Sequence, residues 1–294
     1  MNSIVVMVIL NYNDMKVTEK LTRSVMDHEC LYRVIVVDNC STDGSYEYLK
    51  KTFKKSEVDV IQAPVNGGYA SGNNFGIKYA IDHYSPEYVF IANPDIGVSQ
   101  STLNAMIRDM NNHKDYGIMA PLVVQGYNVW RLPGFMGMIE SLFLVWFNLD
   151  KRHIKKKLIA SRNRIEEGYV AEGSFFIMRV KDYQAAGGFD ERTFLYAEEI
   201  IISRRMKDIG KKIGILTRER YDHLHSASIK KEYASSKRKA FPNFYSSFKV
   251  YNKYYLKTNA IQDGIFFLCY KLAYFERFIY DLIKGNGRNA HKKA

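Results

Sequence analysis

The sequence predicts an α/β protein, a doubly wound and mainly parallel sheet flanked by helices, with a helical C-terminal appendage. Three observations carry this. Short Val/Ile-rich runs recur through the first 125 residues; the intervals between most of them read as helices; and most of the runs are nearly continuous in apolar residues, as strands covered on both faces are. A chain of 294 residues, 47% of them hydrophobic, can bury the core of one large domain, or of one domain with an appendage.

The first run, "SIVVMVIL" (3–10), lacks a basic flank and meets Asn11, Asn13 and Asp14 too early for a secretory signal, so it reads as a core strand. "YRVIVVD" (32–38), "VDVIQ" (58–62), "EYVFIAN" (87–93) and "YGIMAPLVV" (116–124) follow as strands. After Ser99 or Ser101 as N-cap, Leu103, Met106, Ile107 and Met110 fall at i, i+3, i+4 and i+7, which predicts a helix with one buried stripe. A run at 135–149, "FMGMIESLFLVWFNL", contains Glu140 and is shorter than the roughly 20 residues a membrane-spanning helix needs. Glu198 and Glu199 open an expected helix whose Ile202, Met206 and Ile209 keep core spacing before Gly210 ends it. Between 240 and 283 aromatics are dense: Phe244, Phe248, Tyr251 and Tyr255 share a face beside Lys249, Lys253 and Lys257, and "IFFLCYKLAYFERFIYDLI" (265–283) is more apolar still. This segment reads either as a helical hairpin core or as a surface lying among lipid headgroups.

In open α/β sheets ligands gather at the carboxyl ends of the strands. Here those ends are "LNYND", "DNCSTDGS", "PVNGGYASGNNFG" and "NPD", all polar or glycine-rich. Each alone is ordinary turn chemistry; four on one rim point to a site. The glycine-rich stretch has neither GxGxxG spacing nor a GK[ST] tail, which sets aside dinucleotide and P-loop readings. Gly67, Gly68 and Gly72 allow close backbone approach, and Asn66, Asn73 and Asn74 offer neutral donors and acceptors, which suits a sugar or nucleotide.

Net charge is +12, concentrated in 151–164 (seven Lys/Arg, no acid), in 230–257 (eight Lys/Arg, one Glu) and in the tail at Lys284, Arg288, Lys292 and Lys293. Such blocks suit a polyanionic partner or a solvated basic face. Cys30, Cys40 and Cys269 have no pattern of a disulfide framework or zinc site and fit a reducing compartment, with the cytoplasm as the expected location.

"VILNYN", "VVDNCSTDGS", "NGGYASGNNFG" and "NPD", in this order and spacing and followed by "EGSFFIMR" and "GGFDERTFLYAEEIIISRR", resemble the family-2 inverting glycosyltransferases of the GT-A fold, particularly the bacterial rhamnosyltransferase-like branch, over residues 3–228. The resemblance implies a catalytic domain at 1–228, with a nucleotide-sugar half over 1–125 and an acceptor half over 126–228, and leaves 229–294 as a basic, aromatic helical region. It implies a UDP- or dTDP-linked sugar donor and a glycan or lipid-linked acceptor in surface polysaccharide synthesis. Asp38 would face the nucleobase and ribose with Asn11 and Asn13; Asn66, Gly68, Asn73 and Asn93 would approach the donor. Asp95 would hold Mg²⁺ or Mn²⁺ on the diphosphate, joined by His223, with His225 as second choice; Asn93 stands where the usual motif has its first Asp. The family commonly reads Glu-Asp-x-Asp-Leu near the base, so Glu199 falls at the base position beside Glu198, with Glu replacing Asp and Ile201 replacing the second Asp.

A nucleic-acid-binding protein fits the charge but lacks a recognition motif, so nucleic acid is not the expected partner; a nucleotidyltransferase or inactive scaffold of similar fold is the other alternative. The basic blocks beside aromatic helices lead to the expectation of peripheral attachment to an anionic membrane surface, on the inner face of the plasma membrane.

Overall fold

The computed structural model describes residues 3–125, 129–224, 238 and 240–290. The four runs expected first form β1 (Val5–Asn11), β2 (Arg33–Asp38), β3 (Val58–Gln62) and β4 (Tyr88–Ala92), paired in parallel in the order β3-β2-β1-β4. Helices α1 (Met15–Val25), α2 (Ser45–Thr52) and α3 (Gly68–Tyr84) make the crossovers. Successive strand residues point to opposite faces, so the sheet feeds two cores. Val6 and Val8 pack with Ala70 and Ile77 of α3, while Val5, Met7 and Ile9 pack with Leu21 of α1. That is why β1, β2 and β4 carry no polar alternation, while β3, at the end of the strand order, admits Asp59 and Gln62.

Past β4 the sheet changes direction. β10 (Phe175–Arg179) lies between β4 and β6 (Tyr116–Val123), antiparallel to both, with Phe175 opposite Ala92 and Ile177 opposite both Phe90 and Met119. β11 (Lys212–His223) runs parallel to β6 and pairs antiparallel with the short β5 (Ile96–Gly97) and β8 (Ile165–Glu167). A separate ribbon joins β7 (Val129–Arg131) to β9 (Tyr169–Ala171). The sheet is therefore mainly parallel, as expected, with an antiparallel wedge that apolar runs alone do not reveal.

α4 (Gln100–Asn112) is capped by Ser99, whose hydroxyl accepts the Thr102 N–H at 3.2 Å, and Leu103, Met106 and Met110 are buried. The apolar run at 135–149 is broken at Phe143 between α5 (Phe135–Leu142) and α6 (Leu144–Ala160), and among the described residues no helix is long and apolar enough to cross a membrane. α7 (Val180–Ala185) follows β10. In α8 (Glu198–Asp208) Ile202 and Met206 are buried as expected, but Ile209 is 37% exposed: the helix stops before it, and Gly210 at φ 75° turns the chain away. The aromatic C-terminal segment forms α9 (Phe241–Tyr251), a π-helical turn (Asn252–Leu256) and α10 (Ala260–Ala290). Phe248, Tyr251, Phe266 and Ala273 build a third core with Met138 and Leu142 of α5 and with Ile201 of α8. His225, Ser228, Lys292 and Lys293 lie outside the described residues.

One polar cluster ties the C-terminal helices to α8. The buried Asp190 carboxylate accepts from Arg192 (Nε, 2.8 Å) and from the Tyr255 hydroxyl (2.6 Å), and Arg205 of α8 donates to that hydroxyl at 2.9 Å. Burial by itself would raise the Asp190 pKa, but the hydrogen bonds from Arg192 and Tyr255 hold it down at about 2. An unfolded aspartate titrates near 3.9, so this stabilisation is complete above about pH 4 and is lost as pH falls toward about 2. Asp190→Asn is expected to cost about 1–2 kcal/mol at neutral pH, discounted for the solvent around Arg192, and to flatten the acid limb of the stability profile. Urea unfolding from pH 7 to pH 3 measures this; a variant with the wild-type acid limb would assign that limb to other carboxylates.

Candidate active site

The wedge decides what meets at the rim. Because β10 runs against β4, the residues just before it lie beside those just after β4, and the Asn93 N–H donates to the Ser174 carbonyl at 2.8 Å. β11 arrives from the other side: the Leu224 N–H donates to the Asp95 carbonyl at 2.9 Å, and His223 pairs with Ile96. Asp95, Glu172 and His223 are thereby brought together. His223 Nε2 lies 3.4 Å from Asp95 Oδ1, and its Nδ1 lies 3.7 Å from Glu172 Oε2. Burial opposes an imidazolium here, but the two carboxylates outweigh it and raise His223 to about 9.

Glu172 is absent from the sequence-based candidates. The carboxyl-end rule covers parallel strands and says nothing about the amino end of an antiparallel one; the available signal is the polar "EGS" standing directly ahead of the buried "FFIMR".

Glu198 and Glu199 sit on the first turn of α8 after two consecutive left-handed residues, Tyr196 (φ 76°) and Ala197 (φ 69°). Side chains in that region cost on the order of 1 kcal/mol or more each, so the turn that aims the pair is strained. The two carboxyl groups differ in surroundings. Glu199 Oε1 accepts the Gly173 N–H at 3.0 Å, and the Tyr69 hydroxyl donates to the Gly173 carbonyl at 2.6 Å. Glu198 is 3% exposed, and its Oε1 has no hydrogen-bond partner among the described residues. Burial, then the neighbouring Glu199 charge, push Glu198 well above the ordinary glutamate range. Burial also raises Glu199, while the Gly173 N–H pulls the other way by favouring the ionised form. Gly173 fits closely: a Cβ there would stand 2.9 Å from both Glu199 Oε1 and the Tyr69 hydroxyl oxygen, so one of these side chains would have to shift. Ile201, at the position of the usual second Asp, is wholly buried in the third core, where an unpaired carboxylate would be costly.

The residues expected against the donor divide into two layers. Asn11 and Asp38 are wholly buried. Asn11 Nδ2 donates to Asp38 Oδ2 at 2.8 Å, and Asp38 Oδ1 accepts the Ser41 N–H at 2.9 Å. Asn73 is also buried and donates to the Tyr69 carbonyl at 3.0 Å. Nearer solvent, Asn13 Oδ1 accepts the Thr42 N–H at 2.9 Å, and Asn66 Oδ1 accepts from Asn39 Nδ2 at 2.9 Å and from the Gly68 N–H at 3.1 Å. Gly68 has φ 84°, and a Cβ would stand 2.0 Å from the Phe194 carbonyl oxygen, so the loop must be glycine to close on the segment leading to α8.

No group of three or more His, Cys, Asp or Glu side chains among the described residues could hold a metal ion by itself. Asp95 and His223 would offer one oxygen and, once the imidazole has lost its proton, one nitrogen ligand, a donor set that fits a divalent cation completed by phosphate oxygens.

The profile of Glycosyl transferase family 2 matches residues 6–186. At 24% identity over 227 residues, covering 76% of this chain and 68% of the relative, the sequence is similar to the low-salt glycan biosynthesis hexosyltransferase Agl10 of Haloferax volcanii. It is also 24% identical to rhamnosyltransferase WbbL of Escherichia coli K12, covering 71% of this chain and 79% of WbbL. The same identity relates it to the N-acetylglucosaminyl-diphospho-decaprenol L-rhamnosyltransferase of Mycobacterium tuberculosis, over 62% of this chain and 60% of that one. Among solved structures, GalNAc-T7 with UDP, GalNAc and Mn²⁺ superposes with TM-score 0.60 at 13% identity, over 84% of this chain and about half (48%) of its own. The mannosyltransferase PcManGT of Pyrobaculum calidifontis with GDP-Man and Mn²⁺ gives TM-score 0.59 at 12% identity, over 98% of this chain and 76% of its own. At such identities the structural likeness speaks for the fold, which is GT-A, while the profile spans most of the sheet just described. This chain therefore belongs to glycosyltransferase family 2 and is a glycosyltransferase.

Proposed function

We propose that the protein transfers a hexose or deoxyhexose, with inversion, from a UDP- or dTDP-linked donor to a glycan or lipid-linked acceptor in surface polysaccharide synthesis. The observation that carries this is the pairing of two unlike sites through one short segment. Gly173 supports the Glu199 carboxylate, and Glu172, its neighbour, faces the Asp95–His223 pair.

In this reading residues 1–228 act as the catalytic unit and 229–294 as its appendage. Asn11 and Asp38 shape the nucleoside wall from beneath by ordering the Ser41–Thr42 turn, while Asn13, Asn66, Asn93 and the Gly68 backbone border the donor. Asn73 holds the first turn of α3. Asp95 and His223 would hold Mg²⁺ or Mn²⁺, which when bound offsets the charge developing on the leaving diphosphate. Both GalNAc-T7 and PcManGT were solved with Mn²⁺, which favours a divalent cation here. The acceptor hydroxyl attacks the anomeric carbon as the bond to the diphosphate oxygen breaks, and Glu199 takes the hydroxyl proton. Burial and the neighbouring charge push Glu198 upward, whereas the Gly173 N–H favours the ionised form of Glu199, which supports Glu199 as the base. The mycobacterial relative's name describes a polyprenol-linked acceptor, in keeping with a membrane-borne acceptor and with peripheral attachment to the cytoplasmic leaflet.

Four outcomes test this. Asp95→Ala should abolish metal-dependent donor binding with the fold retained, read as loss of Mn²⁺-dependent thermal stabilisation by nucleotide sugars; wild-type transfer by this variant would remove the metal assignment. Glu199→Gln should keep donor affinity and lose on the order of 10²–10⁴-fold in transfer. Wild-type transfer should fall with acidification through a pKa above the ordinary glutamate range, because the base must be ionised; if Glu198→Gln is the dead variant instead, the base is Glu198. Gly173→Ala should reduce turnover with little effect on donor affinity, since the added methyl displaces Glu199; unchanged turnover would mean that Glu199 moves freely.

A further inference from the structure

α10 packs on the protein along one side only. Phe266 and Ala273 are buried in the third core, and the Arg277 guanidinium lies 3.6 Å over the Phe241 ring and donates to the Leu142 carbonyl at 2.6 Å. The opposite side is apolar and open. Ile261, Ile265, Leu268, Leu272, Phe275 and Ile279 recur at alternating spacings of four and three, each between 42% and 75% exposed. Phe267, Tyr274 and Phe278, also exposed, widen this band beyond the narrow seam through which two helices coil together. Lys271 is the cation within it, its ammonium 5.2 Å over the Phe267 ring.

Basic groups border the band. Arg238 lies 5.3 Å over the Phe278 ring. Lys249 and Lys253, both exposed, line a cleft of about 500 Å³ between α9, the π-helical turn and the start of α10, together with Tyr245, Asn252, Asp263 and Phe267. The cleft holds an unmet polar group. Asn252 is 2% exposed, and neither atom of its carboxamide has a hydrogen-bond partner among the described residues, a condition that costs about 1–3 kcal/mol. The Asp263 carboxylate already accepts from the Thr258 hydroxyl at 2.6 Å. An anionic oxygen entering here would meet two ammonium groups and a free amide N–H.

We propose that this face of α10 is the docking surface for an anionic phospholipid bilayer, with the apolar band among the upper acyl chains and a lipid phosphate in the Asn252 cleft. The assignment rests on the reading of the protein as peripheral on the cytoplasmic leaflet, and it names the surface responsible. Breadth separates a bilayer from a second copy of the chain: the band spans about half the helix circumference, as interfacial helices do. Lys271 adds to this, because a symmetric dimer would bury it, whereas at a bilayer its stem lies along the band and its ammonium reaches the phosphates.

The test is co-sedimentation of the full chain with phosphatidylcholine vesicles, with and without phosphatidylglycerol. Wild type should bind the anionic vesicles and weaken with salt. Ile265→Ser/Leu268→Ser/Leu272→Ser/Phe275→Ser, all at exposed positions, should reduce partitioning more than about tenfold, and Lys249→Ala/Lys253→Ala roughly fivefold per lysine, with unchanged melting temperatures. Wild-type binding that survives the four-serine variant would overturn the α10 assignment and leave attachment to another surface. No wild-type binding would overturn both the surface and the peripheral reading. A dimer in sedimentation velocity that the serine variant converts to monomer would make the band an interface between copies. Release of wild type by millimolar inorganic phosphate at constant ionic strength would make the cleft a free-phosphate site rather than a lipid site.

Discussion

Backbone hydrogen bonding between β4 and β10 settles the geography of this protein. With Phe175 opposite Ala92 in antiparallel register, the chain entering β10 must run alongside the chain leaving β4. Asn93 and Ser174 then bond through their backbones, Asp95 comes under His223, and Gly173 comes under Glu199. A slip of one residue would turn every side chain of the all-buried strand Phe175–Arg179 to the opposite core, which the packing on both faces forbids. The site inherits its precision from that prohibition.

Much of this is legible in the sequence. β1, β2 and β4 announce themselves because both faces are covered, so apolar residues run on through them, and the N-cap and stripe of α4 follow from Ser99 and Leu103, Met106 and Met110. The polar rim is equally plain, since Asn-Pro-Asp and the Asn/Gly loop are foreign to strand interiors. What escapes is whatever long-range pairing decides. The "FFIMR" run carries no sign of its direction, so Glu172 looks like one more surface acid, and only the antiparallel insertion brings it to His223. Asn11 and Asp38 are visibly polar at strand ends, but that they are wholly buried and bonded to each other follows only from the parallel pairing of their strands. Ile209 keeps helical spacing after the helix has stopped.

Charge organises the site as firmly as shape. Four carboxylates and an imidazole meet at this rim, and the arrangement works because they are differently satisfied. Glu199 has the Gly173 N–H, His223 is shared between two acids, and Glu198 is dominated by burial and a like-charged neighbour, which outweigh its backbone hydrogen bonds. Outside the site, the Asp190 cluster and Ile201 join α8 to the C-terminal helices, so the element bearing the glutamate pair is braced from behind by the same segment that presents the apolar band.

The wedge also bears on the order in which the chain becomes structured. Residues 5–92 contain a complete run of parallel crossovers whose contacts are comparatively local, whereas the neighbour of β4 on its other side is not synthesised until residues 175–179. On the ribosome, the first half of the sheet can assemble with Tyr88–Ala92, fully buried in the finished protein, standing as a bare apolar edge. Such an edge invites pairing with another nascent chain until β10 is made and covers it.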